Sequence, residues 1–301
     1  MIESQTISSV QKLPNDAASL LELVLDTMDA TPHPRLRQLM ADLTRRLHGF
    51  VVDNAVTEDE FERAVGFLID IGQATNETSN EVILAADLLG ISSLVAMLNN
   101  ITPEGHSHAA LLGPFWRANA PVCAWGDSIA RSDTPGVPLE VGGTIRDAHG
   151  RPLQGATVDV WQASPVGLYE NQDPRQDNMN LRGRFQTDAQ GRYFFRSVRP
   201  AGYPVPTSGP CGALLEAQMR HPNRPAHLHF MISSPGHKVL VTQVFADDAP
   251  TLLSDPVFGV LEPLVGQFSE VEDDEGAPLC RLTKDFQLLA GEMRFPHPPI
   301  P

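Results

Sequence analysis

The chain of 301 residues is 42% hydrophobic and 20% charged, ordinary for a globular protein with one large core or two modest ones, and its net charge of -15 with no basic cluster excludes a nucleic-acid partner. Three cysteines, Cys123, Cys211 and Cys280, are far apart and odd in number, which fits neither a zinc motif nor a disulfide framework. The opening "MIESQTISSVQK" has no apolar signal core and no apolar run approaches bilayer length, so the expectation is a cytoplasmic protein with no membrane partner.

Residues 1–100 contain three prolines and four glycines, against 26 and 23 in the whole chain, and they read as helices. Leu36, Leu39, Met40, Leu43, Leu47 and Phe50 make an apolar stripe at helical spacing. Thr57 and Glu60 form a capping-box pattern, and Phe61, Val65, Leu68 and Ile69 continue the next apolar face. A further helix is expected over 79–98 from its apolar content and length.

The period then changes. "ATVDVWQA", "GRYFFRSV", "HLHFMIS" and "KVLVTQVF" are short runs rich in β-branched and aromatic residues. "DAHGRPLQG", "DAQGR" and "SPGH" supply turns, with Gly150 and Gly191 suited to positive φ. Such punctuation predicts an antiparallel sandwich, giving a mixed but mainly-β fold: a helical part over 1–105 and a sandwich over 106–301. That pattern is shared by many non-catalytic modules, so a metal-free β-sandwich binding module with a helical arm is the competing class.

Candidate chemistry starts at "RPAHLHF". On a strand His227 and His229 share one face, with Leu228 and Phe230 on the other. A second His-x-His, His106 and His108, follows "TPEG" without strand-forming neighbours and reads as a solvated loop. Of the three tyrosines, Tyr193 sits at a strand position where packing explains it. Tyr169 lies just past a strand end, and Tyr203 stands among Pro200, Pro204 and Pro206, which stiffen its loop. Taken singly, each tyrosine also reads as a packing or turn aromatic, and Arg224 as one half of a surface ion pair. Together, two phenolates and two imidazoles make a donor set suited to ferric iron, whereas zinc and ferrous sites favour thiolate or carboxylate partners.

The segments "LLGPFW", "GRPLQGATVDVWQASPVGLYEN", "NLRGRFQTDAQGRYFFRSVRPAGYPVPTSGP", "RHPNRPAHLHF" and "LVTQVF" resemble the intradiol ring-cleaving dioxygenases, in their catechol and hydroxyquinol branch. The resemblance runs from the helical part to about residue 270. It implies one Fe(III) per subunit, with Tyr169, Tyr203, His227 and His229 as ligands, Tyr203 the labile axial one and His229 the other axial one. It also implies Arg224 and Gln243 on the substrate side, Tyr203 as a base once released, and an aromatic diol or triol cleaved with O2. The helices are implied to form a homodimer interface, where members of this branch hold a phospholipid in an apolar tunnel.

The pocket wall implied by the resemblance consists of Leu84, Asp87, Leu111, Gly113, Pro114, Phe115 and the surroundings of Tyr203. A carboxylate at Asp87 would accept a hydrogen bond from a third ring hydroxyl, although a helix-surface aspartate reads equally well from its position. "GPFW" and "GYPVPTSGP" resemble the hydroxyquinol branch more than the catechol branch. The expected substrate is therefore benzene-1,2,4-triol, cleaved to 3-hydroxymuconate and thence maleylacetate, with a catechol or chlorocatechol giving a muconate as the alternative.

Overall fold

The computed structural model describes residues 13–76, 80–99, 107–131 and 133–299. The chain divides between Leu68 and Ile69 into two compact units. The 105/106 boundary expected from composition and His106 lie outside the described residues.

In the first unit α1 (Ala17–Met28) packs against α2 (Pro34–Asp53), and α3 (Glu58–Ala74) begins. Each start is capped by a side chain that satisfies an otherwise orphaned backbone N–H. Asp16 accepts from the Ser19 N–H (2.7 Å), and His33 Nδ1 accepts from the Leu36 N–H (3.2 Å). At α3 the expected capping box is present: the Thr57 N–H donates to Glu60 Oε2 (2.9 Å) and the Glu60 N–H donates to Thr57 Oγ1 (3.3 Å). The stripe on α2 is helical as read, and its Leu36, Leu39, Leu43, Leu47 and Phe50 are all about half exposed.

The second unit opens with a correction. Instead of one helix over 79–98 there are two, α4 (Glu81–Leu88) and α5 (Ile91–Asn99), bent by 77°. Residue 79 lies outside the described residues. The break falls at Gly90, whose φ of +70° closes α4 in the left-handed cap that glycine adopts without a Cβ penalty. No single described helix is long and apolar enough to cross a membrane.

Among the described residues twelve strands follow: β1 (Pro138–Asp147), β2 (Thr157–Trp161), β3 (Arg182–Gln186), β4 (Arg192–Val198), β5 (Tyr203–Pro204), β6 (Asn223–Arg224), β7 (His227–Ser233), β8 (Leu240–Ala246), β9 (Val265–Gly266), β10 (Phe268–Glu272), β11 (Pro278–Thr283) and β12 (Phe286–Leu288), with α6 (Pro210–Ala217) between β5 and β6. The four strand runs read from sequence all fall on strands, β7 with the bounds of "HLHFMIS". One sheet runs β10-β11-β1-β12 with β4 also on β1; the other runs β3-β2-β7-β8-β9. Most ladders are antiparallel, while β1 pairs in parallel with β11 and β12, and β8 with β9. The β1–turn–β2 and β3–β4 connections rest on Asp147 and Asp188, whose carboxylates accept backbone N–H bonds two and four residues on. Gly150 and Gly191 take the expected positive φ there.

The two sheets enclose a core to which Val141, Ile145, Val158, Val160, Phe195, Leu228, Phe230, Ile232 and Leu282 contribute. Alternation then sends His227, His229 and Met231 of β7, and Trp161 of β2, to the opposite face. A second apolar cluster covers that face: Phe115, Trp116, Trp161, Ala163, Tyr169, Tyr203 and Met231. The imidazoles are therefore buried outside the sandwich core, beneath loops.

Candidate active site

His227 and His229 are 2% and 1% exposed, and their Nε2 atoms face each other at 3.1 Å. His227 Nδ1–H donates to the Pro225 carbonyl (2.7 Å), which sets the tautomer and leaves a lone pair on Nε2. Burial first, then Arg224, pushes the His227 pKa down to about 3, and burial with His227 itself pushes His229 well below the ordinary imidazole value. Both rings are thus neutral, the form that binds metals. His229 is aligned by stacking on Trp161, its register partner on β2 (4.7 Å, 10° between planes). On the other side Gly113 packs so closely that an added Cβ would stand 3.2 Å from His229 Cε1, at a φ of +74°.

Tyr203 reaches the site through a two-stranded ladder: β5 pairs with β6 so that Tyr203 lies opposite Arg224. Its ring stands 5.4 Å from His227 and edge-on to Tyr169 at 5.5 Å. Tyr169 is 1% exposed and stacks on Phe115 at 4.4 Å. Burial, then Tyr203, raises its pKa well above that of an ordinary phenol. Its loop is held from beneath by Arg182, which is buried, pairs with Glu170 (2.8 Å), donates to the Phe115 carbonyl (2.6 Å) and lies 5.7 Å from the Tyr169 ring centre. Arg117 adds a second bond to Glu170 (2.9 Å).

Arg224, 4% exposed, faces His227 Nε2 with Nη1 (3.4 Å) and donates to Gln243 Oε1 with Nη2 (3.2 Å). Gln243 lies opposite His229 in the β7–β8 register and donates to the Leu111 carbonyl (2.6 Å). Asp87 is partly buried near the end of α4, and burial raises its carboxyl above the usual value of 3.8 against the lowering influence of Ser92 and Arg224. The structure therefore gathers Tyr169, Tyr203, His227, His229, Arg224, Gln243, Leu111, Gly113, Phe115 and Asp87. Leu84 is buried one turn before Asp87 on α4, and Pro114 is exposed.

The donors fit a cation. Tyr169 Oη is buried without a hydrogen-bond partner, an orphan that costs about 1–3 kcal/mol. The His227 Nε2 lone pair faces His229 Nε2 at 3.1 Å, a contact that either a proton on His229 Nε2 or a shared cation satisfies. No group of three or more His, Cys, Asp or Glu that could hold a metal occurs among the described residues.

Sequence reasoning missed three supports: Asp255, which grips Arg224; the Arg182–Glu170 pair; and Trp161 behind His229. Asp255 stands alone in a loop with no spacing rule pointing to it. Trp161 was accessible in principle, because antiparallel pairing of "VDVW" with "HLHF" sets it opposite an imidazole.

The family model described as "Dioxygenase" matches residues 111–290, and "Catechol dioxygenase N terminus" matches 33–107. A hydroxyquinol 1,2-dioxygenase of Rhizobium sp. (strain MTP-10005) is 45% identical over 85% of this chain and 87% of that protein. Among solved structures, hydroxyquinol 1,2-dioxygenase from Pseudomonas putida DLL-E4 superposes with a TM-score of 0.87 at 37% identity, covering 91% of this chain and 99% of that one. Catechol 1,2-dioxygenase from Pseudomonas arvilla C-1 gives 0.78 at 32%, with 94% of each chain covered. With its helical segment, its sandwich and these matches across both, the chain belongs to the intradiol ring-cleavage dioxygenase family.

Proposed function

We propose that this chain is a hydroxyquinol 1,2-dioxygenase, holding one Fe(III) per subunit on Tyr169, Tyr203, His227 and His229. The observation that carries the metal reading is the buried, unpartnered Tyr169 Oη beside two neutral imidazoles whose Nε2 atoms face each other at 3.1 Å. Ferric iron in that donor set would draw electron density from a chelating diol and so open its ring to O2.

The remaining work falls to the chain's own residues. Tyr203, at the ladder position opposite Arg224, would be a phenolate in that donor set, and its phenolate oxygen is the base that takes the proton of the incoming ring hydroxyl. Arg224, held in a site shielded from water, stabilises the negative charge that develops on the ring. Gln243 holds Arg224 on one side and the Leu111 carbonyl on the other, keeping the substrate-side wall in register. Phe115 stacks on Tyr169 and, with Leu84, Leu111, Gly113 and Pro114, forms the wall against which the ring lies.

Asp87 supplies the choice of substrate. Its carboxylate accepts a hydrogen bond from the third hydroxyl of benzene-1,2,4-triol, and plain catechol leaves that acceptor unpaired. The 45% identity to a hydroxyquinol 1,2-dioxygenase supports the same choice, and the product is then 3-hydroxymuconate and its tautomer maleylacetate. Cleavage of catechol or chlorocatechol to a muconate is the alternative. Elemental analysis of active protein together with kcat/KM on both rings tests the reading. Iron near one equivalent and preference for the triol support it; another metal, or catechol preferred, overturns it.

We further propose a division into a helical part, 1–105, and a catalytic part, 106–301, with two copies joined through the helices around a bound phospholipid. The half-exposed apolar stripe on α2 supports this. The three free cysteines fit a cytoplasmic location.

A further inference from the structure

Arg224 owes its orientation to Asp255. The carboxylate, 2% exposed, accepts from Nε at Oδ1 (3.1 Å) and from Nη2 at Oδ2 (3.1 Å), the planar two-point grip that a guanidinium and a carboxylate favour. Nη1 and the remaining Nη2 hydrogen are thereby aimed at His227 and Gln243. The segment after Asp255 is closed tightly over the pair: the Gly259 N–H donates to Oδ2 (3.0 Å), and a Cβ on Gly259 would stand 2.9 Å from Arg224 Nη2.

The same segment is tied to α4, which carries Asp87, and to α5. Arg220 donates to the Leu88 carbonyl (2.9 Å) at the end of α4 and to the Pro256 carbonyl (2.6 Å). Ser93 on α5 donates to the Val257 carbonyl (3.0 Å). Phe258, at a positive φ of 53°, lies under the Arg220 guanidinium at 4.9 Å. One segment thus contacts the Arg224 guanidinium and is linked through Arg220 and Ser93 to the end of α4 and to α5.

We propose that Asp255 is the positioning residue of the ring-cleavage reaction, acting on the substrate only through the direction it imposes on the Arg224 guanidinium. The proposal rests on the reading that Arg224 stabilises charge on the ring. Asp255 stabilises nothing on the substrate itself. Its removal lets the guanidinium swing, and a displacement of about 1 Å costs ~10²-fold in rate.

A double-mutant cycle on the iron-loaded protein tests it, using Asp255→Asn, Arg224→Ala and both together, with Asp255→Glu as the conservative variant. Asp255→Asn is expected to lower kcat ~10²-fold, with KM and the anaerobic dissociation constant for hydroxyquinol changed less than ~3-fold. Because Asp255 works through Arg224, the double variant is expected to be no slower than Arg224→Ala, and Asp255→Glu to recover part of the rate. Melting curves and iron content accompany each variant, and Asp255→Glu carries the comparison if Asp255→Asn does not fold. Losses that multiply in the double variant, or Asp255→Asn at the wild-type rate, overturn the inference while leaving Arg224's role intact. Arg224→Ala at the wild-type rate instead removes the reading of Arg224, and Asp255's role with it.

Discussion

Replacing Asp87 with alanine is expected to erase the preference for a three-hydroxyl ring without abolishing ring cleavage. Asp87 is not among the four residues proposed to hold the metal. It lies near the end of α4, where Ser92, Arg224 and Asp255 act on its carboxyl. A hydrogen bond from the third hydroxyl to a partly buried carboxylate contributes about 1.5–3 kcal/mol. At about 1.4 kcal/mol per factor of ten, its loss lowers the ratio of kcat/KM for hydroxyquinol over catechol by roughly 10- to 150-fold. The change should fall on hydroxyquinol, with catechol turnover held or improved because its complex no longer strands an unpaired carboxylate. Steady-state oxygen uptake on both rings measures the ratio, and Asp87→Asn, which keeps an acceptor, should retain part of it. A ratio unchanged within about twofold in Asp87→Ala would refute the assigned contact, since even a weak hydrogen bond of about 0.5 kcal/mol shifts it more.

Purified protein is expected to be coloured by a tyrosinate-to-ferric charge-transfer band, and Tyr169→Phe to weaken that band and the iron content together, as read by visible absorption and elemental analysis. Arg224→Ala should fold and keep its iron yet lose ~10²- to 10³-fold in kcat, the range for removing one donor from a developing anion. Glu170→Gln leaves Arg182 buried without its anion, a change that costs about 3–5 kcal/mol and lowers the melting temperature by roughly 6–20 °C, followed by circular dichroism. The triol preference should rise with pH, because Asp87 is a protonated, poorer acceptor below its pKa, and burial holds that pKa above 3.8. A ratio that stays flat from pH 5 upward while Asp87→Ala still abolishes it would place the titration below that range.

Much of the site was legible because its chemistry lies in short stretches of chain. "HLHF" states its own geometry: a period of two puts both imidazoles on one face, and β7 has the bounds the pattern implies. The capping box at Thr57 was equally local. What escaped were features set by long-range pairing. The run over 79–98 is mostly apolar on both sides of the break, so its hydrophobicity hid it, and the Gly90 conformation reveals two helices. α6 carries a short and weak apolar pattern, and β1's pairing in parallel with β11 and β12 has no trace in local sequence. Asp255 and Glu170 gain their meaning from arginines brought to them by the fold.

The wiring of the donors follows from two devices of different kinds. Three donors come from one stretch, 203–229, and depend on backbone pairing: the β5–β6 ladder sets Tyr203 against Arg224, and the chain then passes Pro225 directly into the strand that carries both imidazoles. A backbone ladder tolerates side-chain change, so this half of the site should survive most single substitutions around it. Tyr169 has no such ladder. Its loop is held by a buried ion pair, a stacked ring and a guanidinium beneath the phenol. Removing either partner of that pair strands a buried charge. Mutational sensitivity should therefore concentrate around Tyr169, through Phe115, Glu170 and Arg182, even though His227 and His229 lie deeper in the strand order of the sheet.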